Sequence, residues 1–356
     1  MRFSFTLLLF VWLSFTIKAQ VLTKEKKDIS ELYQEAKIQF INFEKLHGHF
    51  IQTKNVKMHY LTWGNPENIP LIWSHGSLLN AYELYDVADK LAKAGYYIIA
   101  IDYYGHGLTP IPNHEVSLYN IADDIKFLMD KLKISKAVIG GFSRGGYISS
   151  AFYDAYPNYV LGLVLADGGS VSSNTHYHQM DTSAIKNQFK YLDDKTSFPW
   201  DSTYTSEFDA YKSLYDQTEK GNQFKTLILI KKNKFGKYGI YEGLNNFFYM
   251  NSSQNFSDLI YRPTKAPLFA ASMVMMEPKI IYRNLKVPVL ILDPISKNDP
   301  FPFEKENQAL QKQHSDLIKH VTYPNIEHNI IYAEPEKFTE DLIDFLKQVK
   351  RYNKIN

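Results

Sequence analysis

Hydrophobic and polar positions along the chain form blocks that predict strands and helices in turn. Short apolar runs, rich in β-branched and aromatic residues, alternate with longer segments whose apolar residues recur at helical spacing. The predicted strands cover residues 49–52, 56–62, 69–73, 96–101, 137–139, 160–165, 287–292 and 318–323. The main predicted helices cover residues 81–94, 117–133, 302–314 and 335–351. Unbroken apolar strands that alternate with helices are typical of a mostly parallel sheet covered by helices on both faces.

Two segments depart from this alternation. Residues 25–45 have helical spacing and predict a helix that packs on the main domain. Residues 171–285 are rich in tyrosine, phenylalanine, serine and asparagine and contain one strand-like run, at residues 226–230. They predict a mainly helical cap or lid inserted after the sixth strand. The predicted organisation is a signal peptide at 1–19, a helical extension at 20–46, an α/β core at 47–170 and 286–356, and the cap at 171–285.

The first residues resemble a secretory signal. Arg2 precedes an uncharged apolar run that ends at Ile17, and Lys18 and Ala19 follow. The run falls short of the roughly 18 apolar residues that a membrane-spanning helix needs. We expect cleavage after Ala19 and a secreted or periplasmic protein, with an uncleaved membrane anchor as the alternative.

Composition narrows the classes of function. Cleavage would take Arg2 and Lys18 from the 40 basic side chains, so the mature chain would carry 38 basic and 38 acidic side chains. This balance gives no reason to expect nucleic acid, an acidic surface or a stable membrane partner. The chain contains no cysteine, which excludes disulfides and a cysteine nucleophile. The sequence does not indicate an oligomeric state.

The chemistry begins at Ser143. Residues 137–139 predict a buried strand, and Ser143 follows within the pattern Gly-x-Ser-x-Gly at residues 141–145. A serine on a tight turn between strand and helix presents its Oγ to a pocket, and the next backbone N–H, that of Arg144, can stabilise an oxyanion. After residues 69–73, the turn His75-Gly76-Ser77 can supply the N–H of Ser77 as a second oxyanion donor. His75, Asp102 and His106 are interpreted as structural residues of their loops.

A base and an acid are predicted near the carboxyl ends of later strands, the edge where open α/β sheets place their sites. His328 follows the last strand and could take the proton from Ser143. Asp299, in the loop after residues 287–292, is the favoured acid to orient that histidine. Asp293 in the same loop and Asp167 after residues 160–165 are alternatives. The pair His176 and His178 lacks further ligands at metal spacing, so neither a metal nor a cofactor is expected.

With these residues in place, the sequence resembles the α/β-hydrolases from about residue 49 to its end, apart from the insertion. The resemblance is carried by His75-Gly76, by Gly105-His106-Gly107, by residues 141–145, and by the late Asp299 and His328, in that order. Two positions differ from the family pattern. Tyr104 stands where many relatives have arginine, and the loop from Asp293 to Asp299 is longer than the common form.

The resemblance implies acyl chemistry. Relatives that open epoxides or remove halide use an aspartate nucleophile, so Ser143 argues against those reactions. We expect a cofactor-independent serine hydrolase that cleaves a carboxylic ester or related acyl bond of a small molecule. The alternatives are an aminopeptidase-like or amidase-like enzyme, with Glu207, Asp209 or Glu242 as amine-binding acids, a hydrolase of carbon-carbon bonds, and a non-catalytic ligand-binding protein of the same fold.

Overall fold

The computed structural model describes residues 28–194, 202–297 and 301–355. The strands are β1 Gly48–Gln52, β2 Lys57–Trp63, β3 Ile69–Ser74, β4 Tyr96–Ile101, β5 Ala137–Phe142, β6 Val160–Ala166, β7 Thr203–Tyr204, β8 Ile230–Lys232, β9 Tyr238–Ile240, β10 Val289–Ile295 and β11 Ile318–Pro324. The helices are α1 Ile29–His47, α2 Tyr85–Lys93, α3 Leu118–Lys131, α4 Arg144–Ala155, α5 Asn174–Tyr177, α6 Thr182–Gln188, α7 Glu207–Leu214, α8 Leu244–Phe247, α9 Ser253–Tyr261, α10 Leu268–Val274, α11 Pro278–Ile281, α12 Glu304–Gln313, α13 Ile330–Ala333 and α14 Pro335–Tyr352.

The described part of the chain builds an eight-stranded sheet in the order β1-β2-β4-β3-β5-β6-β10-β11. The pairs β1 with β2 and β2 with β4 are antiparallel, and the pairs from β4 to β11 are parallel. The mostly parallel sheet predicted from the apolar runs is therefore confirmed. Strands β3, β5, β6, β10 and β11 all end at one edge, and the loops at that edge carry the candidate site.

Successive residues of the central strands pack against helices on opposite faces of the sheet. One face packs against α3 and α4 and includes Ile72, Ile99, Ile139, Leu163 and Ile291. The other face packs against α2 and α14 and includes Leu71, Ile98, Val138, Val164 and Leu290. All ten side chains are buried. Because each strand is covered on both faces, its sequence is apolar throughout rather than alternating.

Residues 171–285, called the intervening segment below, lie between β6 and β10. Within their described part they contain helices α5 to α11 and a small antiparallel sheet in the order β7-β9-β8. The predicted strand at residues 226–230 was wrong. Most of that stretch is a 3₁₀-helix at Phe224–Leu229, and only Ile230 begins a strand. A short apolar run is compatible with a strand or with a 3₁₀-helix. Its composition reflects burial, and the run is too short for a periodicity to distinguish the two.

Helix α1 is joined to the sheet by a buried polar network. The Glu44 carboxylate of α1 lies 3.0 Å from His59 Nε2, and His59 Nδ1 lies 2.6 Å from Asp102 Oδ2. Tyr82 donates a further hydrogen bond to Glu44. Among the described helices, none is both long enough and apolar enough to cross a membrane.

Candidate active site

Ser143 occupies a sharp turn between β5 and α4. Its φ of 52° and ψ of −120° lie in a region that residues other than glycine rarely adopt. The turn also requires close backbone contact, because a Cβ on Gly145 would lie 1.9 Å from the carbonyl oxygen of Ser74 on β3. The glycines of the motif are therefore needed where the strand and the helix approach each other. The turn directs Ser143 Oγ into a cavity.

His328 lies in the loop between β11 and α13, as the sequence predicted. Its Nε2 is 2.9 Å from Ser143 Oγ, so the serine hydroxyl can donate its hydrogen bond to the imidazole. The rings of Phe142 and Phe301 lie beside the imidazole, with ring centroids 4.6 Å and 5.0 Å away. The histidine is thus held in position by contacts with two aromatic rings as well as by its hydrogen bonds.

The acid beside His328 is Asp167, which immediately follows β6. His328 Nδ1 donates a hydrogen bond to Asp167 Oδ2. Asp299, the favoured acid in the sequence analysis, lies outside the described residues. Asp293, the second candidate, contacts His320 Nε2 at 2.7 Å instead. Among the described residues, the contact with His328 favours Asp167, the third candidate, and the preference for Asp299 stays a prediction.

The placement of Asp167 follows from the sheet. Its backbone N–H donates to the carbonyl of Leu292 on β10, 2.9 Å away, and its φ of 45° turns the chain sharply at the end of β6. Since β6 is the neighbour of β5, this turn brings Asp167 to the same edge as Ser143. Asp293 lies within β10 itself, which is one strand further away from β5.

The two predicted oxyanion donors border the same cavity. Arg144 is the first residue of α4, so its N–H has no partner within the helix and lies at the positive end of the helix dipole. Ser77 follows β3, in a turn that is fixed by hydrogen bonds to the Glu83 side chain. The Glu83 carboxyl accepts hydrogen bonds from Gly76 N at 3.0 Å and from Trp73 Nε1 at 2.6 Å. Burial raises the pKa of Glu83 to about 8.

The histidines and the aspartate near this turn have structural contacts. His106 Nδ1 donates to the carbonyl of Tyr104 at 2.9 Å, and His106 Nε2 accepts from Leu78 N at 3.2 Å. His75 stacks on Tyr103, and burial lowers the pKa of His75 to about 4. Asp102 accepts hydrogen bonds from the N–H groups of Ala81 and Leu108 as well as from His59. These contacts fix the loops around Ser77, the first of the two predicted oxyanion donors.

Comparison with known proteins identifies the fold. A family model described as alpha/beta hydrolase fold matches residues 69–203. A carboxylesterase structure from Nitrososphaera gargenis superimposes with a TM-score of 0.57 at 16% identity, covering 85% of this chain and 99% of that chain. The chain has the α/β-hydrolase fold.

Curated relatives match a part of this chain. The human serine hydrolase-like protein is 31% identical over 107 residues, which are 30% of this chain and 52% of that protein. Mouse epoxide hydrolase 4 is 25% identical over 174 residues, which are 48% of each chain. The chain thus spans about half the length of these relatives.

The cavity at the sheet edge has a volume of about 570 Å³. One part of its wall comes from the sheet edge and includes Ser77, Ser143, Arg144, Asp167 and His328. The other part comes from the intervening segment and is mostly apolar; it includes Tyr177, Phe189, Phe256, Leu259, Ile260 and Val274. The described residues contain no group of three or more side chains arranged to hold a metal ion. The arrangement suits a small organic molecule with an apolar part.

Two side chains of this site were missed in the sequence analysis. Glu83 was not singled out within the predicted helix at residues 81–94, although it is buried and holds the turn before Ser77. Only the backbone of Arg144 was considered, although its side chain also borders the cavity. A charged residue directly after Ser143, at the start of an otherwise buried helix, was the available signal for Arg144.

Proposed function

We propose that this α/β-hydrolase is a serine hydrolase that cleaves a carboxylic ester or related acyl bond of a small molecule. The proposal depends above all on one observation: His328 contacts Ser143 Oγ through one ring nitrogen and Asp167 through the other. This is the arrangement in which a serine is activated by a histidine whose tautomer is fixed by an acid.

In the proposed reaction, Ser143 Oγ attacks the carbonyl carbon of the substrate and its proton passes to His328 Nε2. The N–H groups of Ser77 and Arg144 stabilise the negative charge that develops on the carbonyl oxygen. The tetrahedral intermediate then expels the alcohol, which receives the proton from His328, and an acyl-enzyme remains. A water that gives its proton to His328 attacks the acyl carbon. The second tetrahedral intermediate then breaks its bond to Ser143 Oγ, which receives that proton from His328, and the carboxylic acid leaves.

Amide cleavage by amine recognition is less well supported. The three acids that could have bound a substrate amine have other contacts: Glu207 accepts a hydrogen bond from Tyr33, Asp209 pairs with Ser206, and Glu242 lies 3.4 Å from Asn233. None of the three is among the residues that border the cavity. Epoxide opening, the activity in the name of the mouse relative, is disfavoured because a serine stands at the nucleophile position.

The cellular location is also a proposal. The predicted signal peptide at residues 1–19 lies outside the described residues, and we propose export with cleavage after Ala19. Amino-terminal sequencing of the protein secreted or exported from its host checks the cleavage position. Recovery of a chain that still begins at Met1 would contradict it.

The proposed activity is tested with 4-nitrophenyl esters of increasing acyl length and with a fluorophosphonate probe. The unmodified protein is expected to hydrolyse at least one ester and to be labelled at Ser143. Ser143→Ala should abolish labelling and lower kcat by about 10⁶-fold. Ser149→Ala is the matched control, because Ser149 Oγ donates to the Gly145 carbonyl at 3.0 Å and does not border the cavity. Equal rates in the unmodified protein and Ser143→Ala would overturn the proposal.

A further inference from the structure

The Arg144 side chain is a buried cation in an otherwise largely apolar part of the cavity wall. It is 4% exposed, and its guanidinium carbon lies 4.2 Å from the ring centroid of Phe248 and 5.4 Å from that of Phe269. Burial lowers the pKa of Arg144 from its ordinary value, but an arginine retains its proton in proteins. A full positive charge is therefore present beside the nucleophile.

The guanidinium of Arg144 lacks partners for most of its hydrogen-bond donors within the described residues. A guanidinium has five N–H donors, and within the described ranges Arg144 makes one hydrogen bond, from Nε to Ser77 Oγ at 3.0 Å. Its Nη1 is buried without a hydrogen-bond partner, and no described carboxylate forms an ion pair with it. Removing a cation from water is unfavourable unless an anion or several acceptors replace the water. The cation–π contacts with the aromatic rings replace only part of the lost interaction with water.

The position of Arg144 indicates which kind of group could pair with its guanidinium. Its backbone N–H faces the predicted oxyanion, and its side chain borders the same cavity, so an anionic group on the substrate would lie within a few atoms of the scissile carbonyl. A carboxylate carries one negative charge and matches a guanidinium in shape and charge. A phosphate monoester, with nearly two charges, would leave one charge unbalanced against the apolar wall.

We propose that the substrate is an acyl compound that carries a carboxylate, which Arg144 binds while the apolar part of the substrate packs against the intervening segment. This inference rests on the proposed serine hydrolase function and names its substrate class. Arg144 is a specificity-determining residue through its side chain, separately from its backbone N–H.

The test compares two substrates that differ only in charge. The 4-nitrophenyl monoester of glutaric acid has a free carboxylate, and its methyl ester has the same acyl chain without the charge. The unmodified protein is expected to favour the charged ester in kcat/KM. Arg144→Met should lower the ratio of the two kcat/KM values by about 10- to 100-fold, the loss of one or two charge-assisted hydrogen bonds. Arg144→Lys should retain part of the preference, because it keeps the charge.

The matched control is Ser77→Ala. It removes the partner of Arg144 Nε and leaves the guanidinium charge in place, so the preference for the charged ester should persist. Thermal unfolding of each variant separates local effects from loss of the fold, and the ratio of two substrates in one protein is independent of the active fraction. An unmodified protein without the preference, or a preference that survives Arg144→Met, overturns the inference.

A binding measurement keeps this inference distinct from the proposed function. If neither ester is cleaved in a manner that depends on Ser143, the hydrolase proposal fails. Calorimetric titration of Ser143→Ala with monomethyl glutarate then decides the inference alone. Binding that disappears in the Ser143→Ala, Arg144→Met double variant supports a carboxylate site at Arg144, and equal binding to both proteins, or binding to neither, overturns it.

Discussion

Asp167 is the residue whose replacement best tests the candidate site. In Asp167→Asn the side chain no longer accepts as an anion, so the imidazolium of His328 loses its stabilising charge and the ring can adopt the wrong tautomer. We expect kcat to fall by about 10³- to 10⁴-fold with a smaller change in KM. Hydrolysis of 4-nitrophenyl esters under saturating conditions measures the effect.

The competing acids serve as controls for Asp167. Asp293→Asn alters a contact with His320 and Asp299→Asn alters the residue favoured from the sequence; both are expected to change kcat by less than about tenfold. If Asp299→Asn alone lost several orders of magnitude, Asp299 rather than Asp167 would be the acid that acts in turnover.

At the scale of elements, the packing of the two turns at the sheet edge decides whether the site forms. A Cβ on Gly168 would lie 2.1 Å from the carbonyl oxygen of Ser143, so the turn after β6 touches the turn after β5. Gly168→Ala is expected to lower the free energy of unfolding by about 1–3 kcal/mol and to reduce hydrolysis, because the turn carrying Ser143 must move. Urea denaturation and ester hydrolysis measure the two effects.

Gly221→Ala separates steric contact from backbone strain. A Cβ on Gly221 would have no neighbour within 4 Å, but Gly221 has a φ of 90°. This variant should lose about 1–2 kcal/mol of stability and keep its activity. Equal activity in Gly168→Ala and Gly221→Ala would show that the contact with Ser143 does not matter.

The network that joins α1 to the sheet predicts a pH dependence of stability. Burial lowers the pKa of His59, but the hydrogen bonds to Asp102 and Glu44 outweigh it and raise the pKa from 6.5 to about 9. A raised pKa means that the folded protein keeps a proton that the unfolded chain releases. The resulting stabilisation is complete below about pH 6.5 and is lost as the pH rises through about 9.

His59→Gln tests this dependence. We expect the difference in unfolding free energy between the unmodified protein and His59→Gln to shrink as the pH rises from 6.5 to 9. The raised pKa of Glu83 also makes the folded protein more stable at lower pH. Because Glu83 is present in both proteins, its contribution cancels in the difference. A difference that stays constant over this range would show that His59 is neutral in the folded protein.

The sequence predicted the elements well where one physical factor determined them. Buried strands such as Tyr96–Ile101 have a continuous apolar run. Ser143 and His328 were singled out as candidates because a Gly-x-Ser-x-Gly turn and a late loop histidine have local signatures. Asp167 could not be selected in advance, because all three candidate acids follow predicted strands and the choice depends on which strand lies beside β5. That neighbour relation is a property of the sheet order, which no local pattern contains.

At the scale of the whole molecule, the cavity lies between the sheet edge and the intervening segment, so the two parts should control different properties. Val274, at the end of α10, is 3% exposed and borders the cavity. Val274→Phe is expected to lower kcat/KM for an octanoate ester by about tenfold or more relative to a butyrate ester, because the larger ring occupies acyl space.

The control for Val274→Phe is Leu268→Phe, on the same helix but 43% exposed and away from this cavity. It should leave the ratio of octanoate to butyrate hydrolysis unchanged. If Val274→Phe lowered both rates equally, the intervening segment would not determine acyl length.

The strand order also has a consequence for biosynthesis. Ser143 and Asp167 follow the neighbouring strands β5 and β6, whereas His328 follows β11, which lies at the edge of the sheet beside β10. Chains are synthesised from the amino terminus and domains fold as units. A nascent chain on the ribosome therefore holds its serine and its acid without the base while residues 168–327 are synthesised. Hydrolysis by the proposed route can start only after β10 and β11 have been synthesised and have paired, so newly made chains stay inactive until His328 has been added and placed.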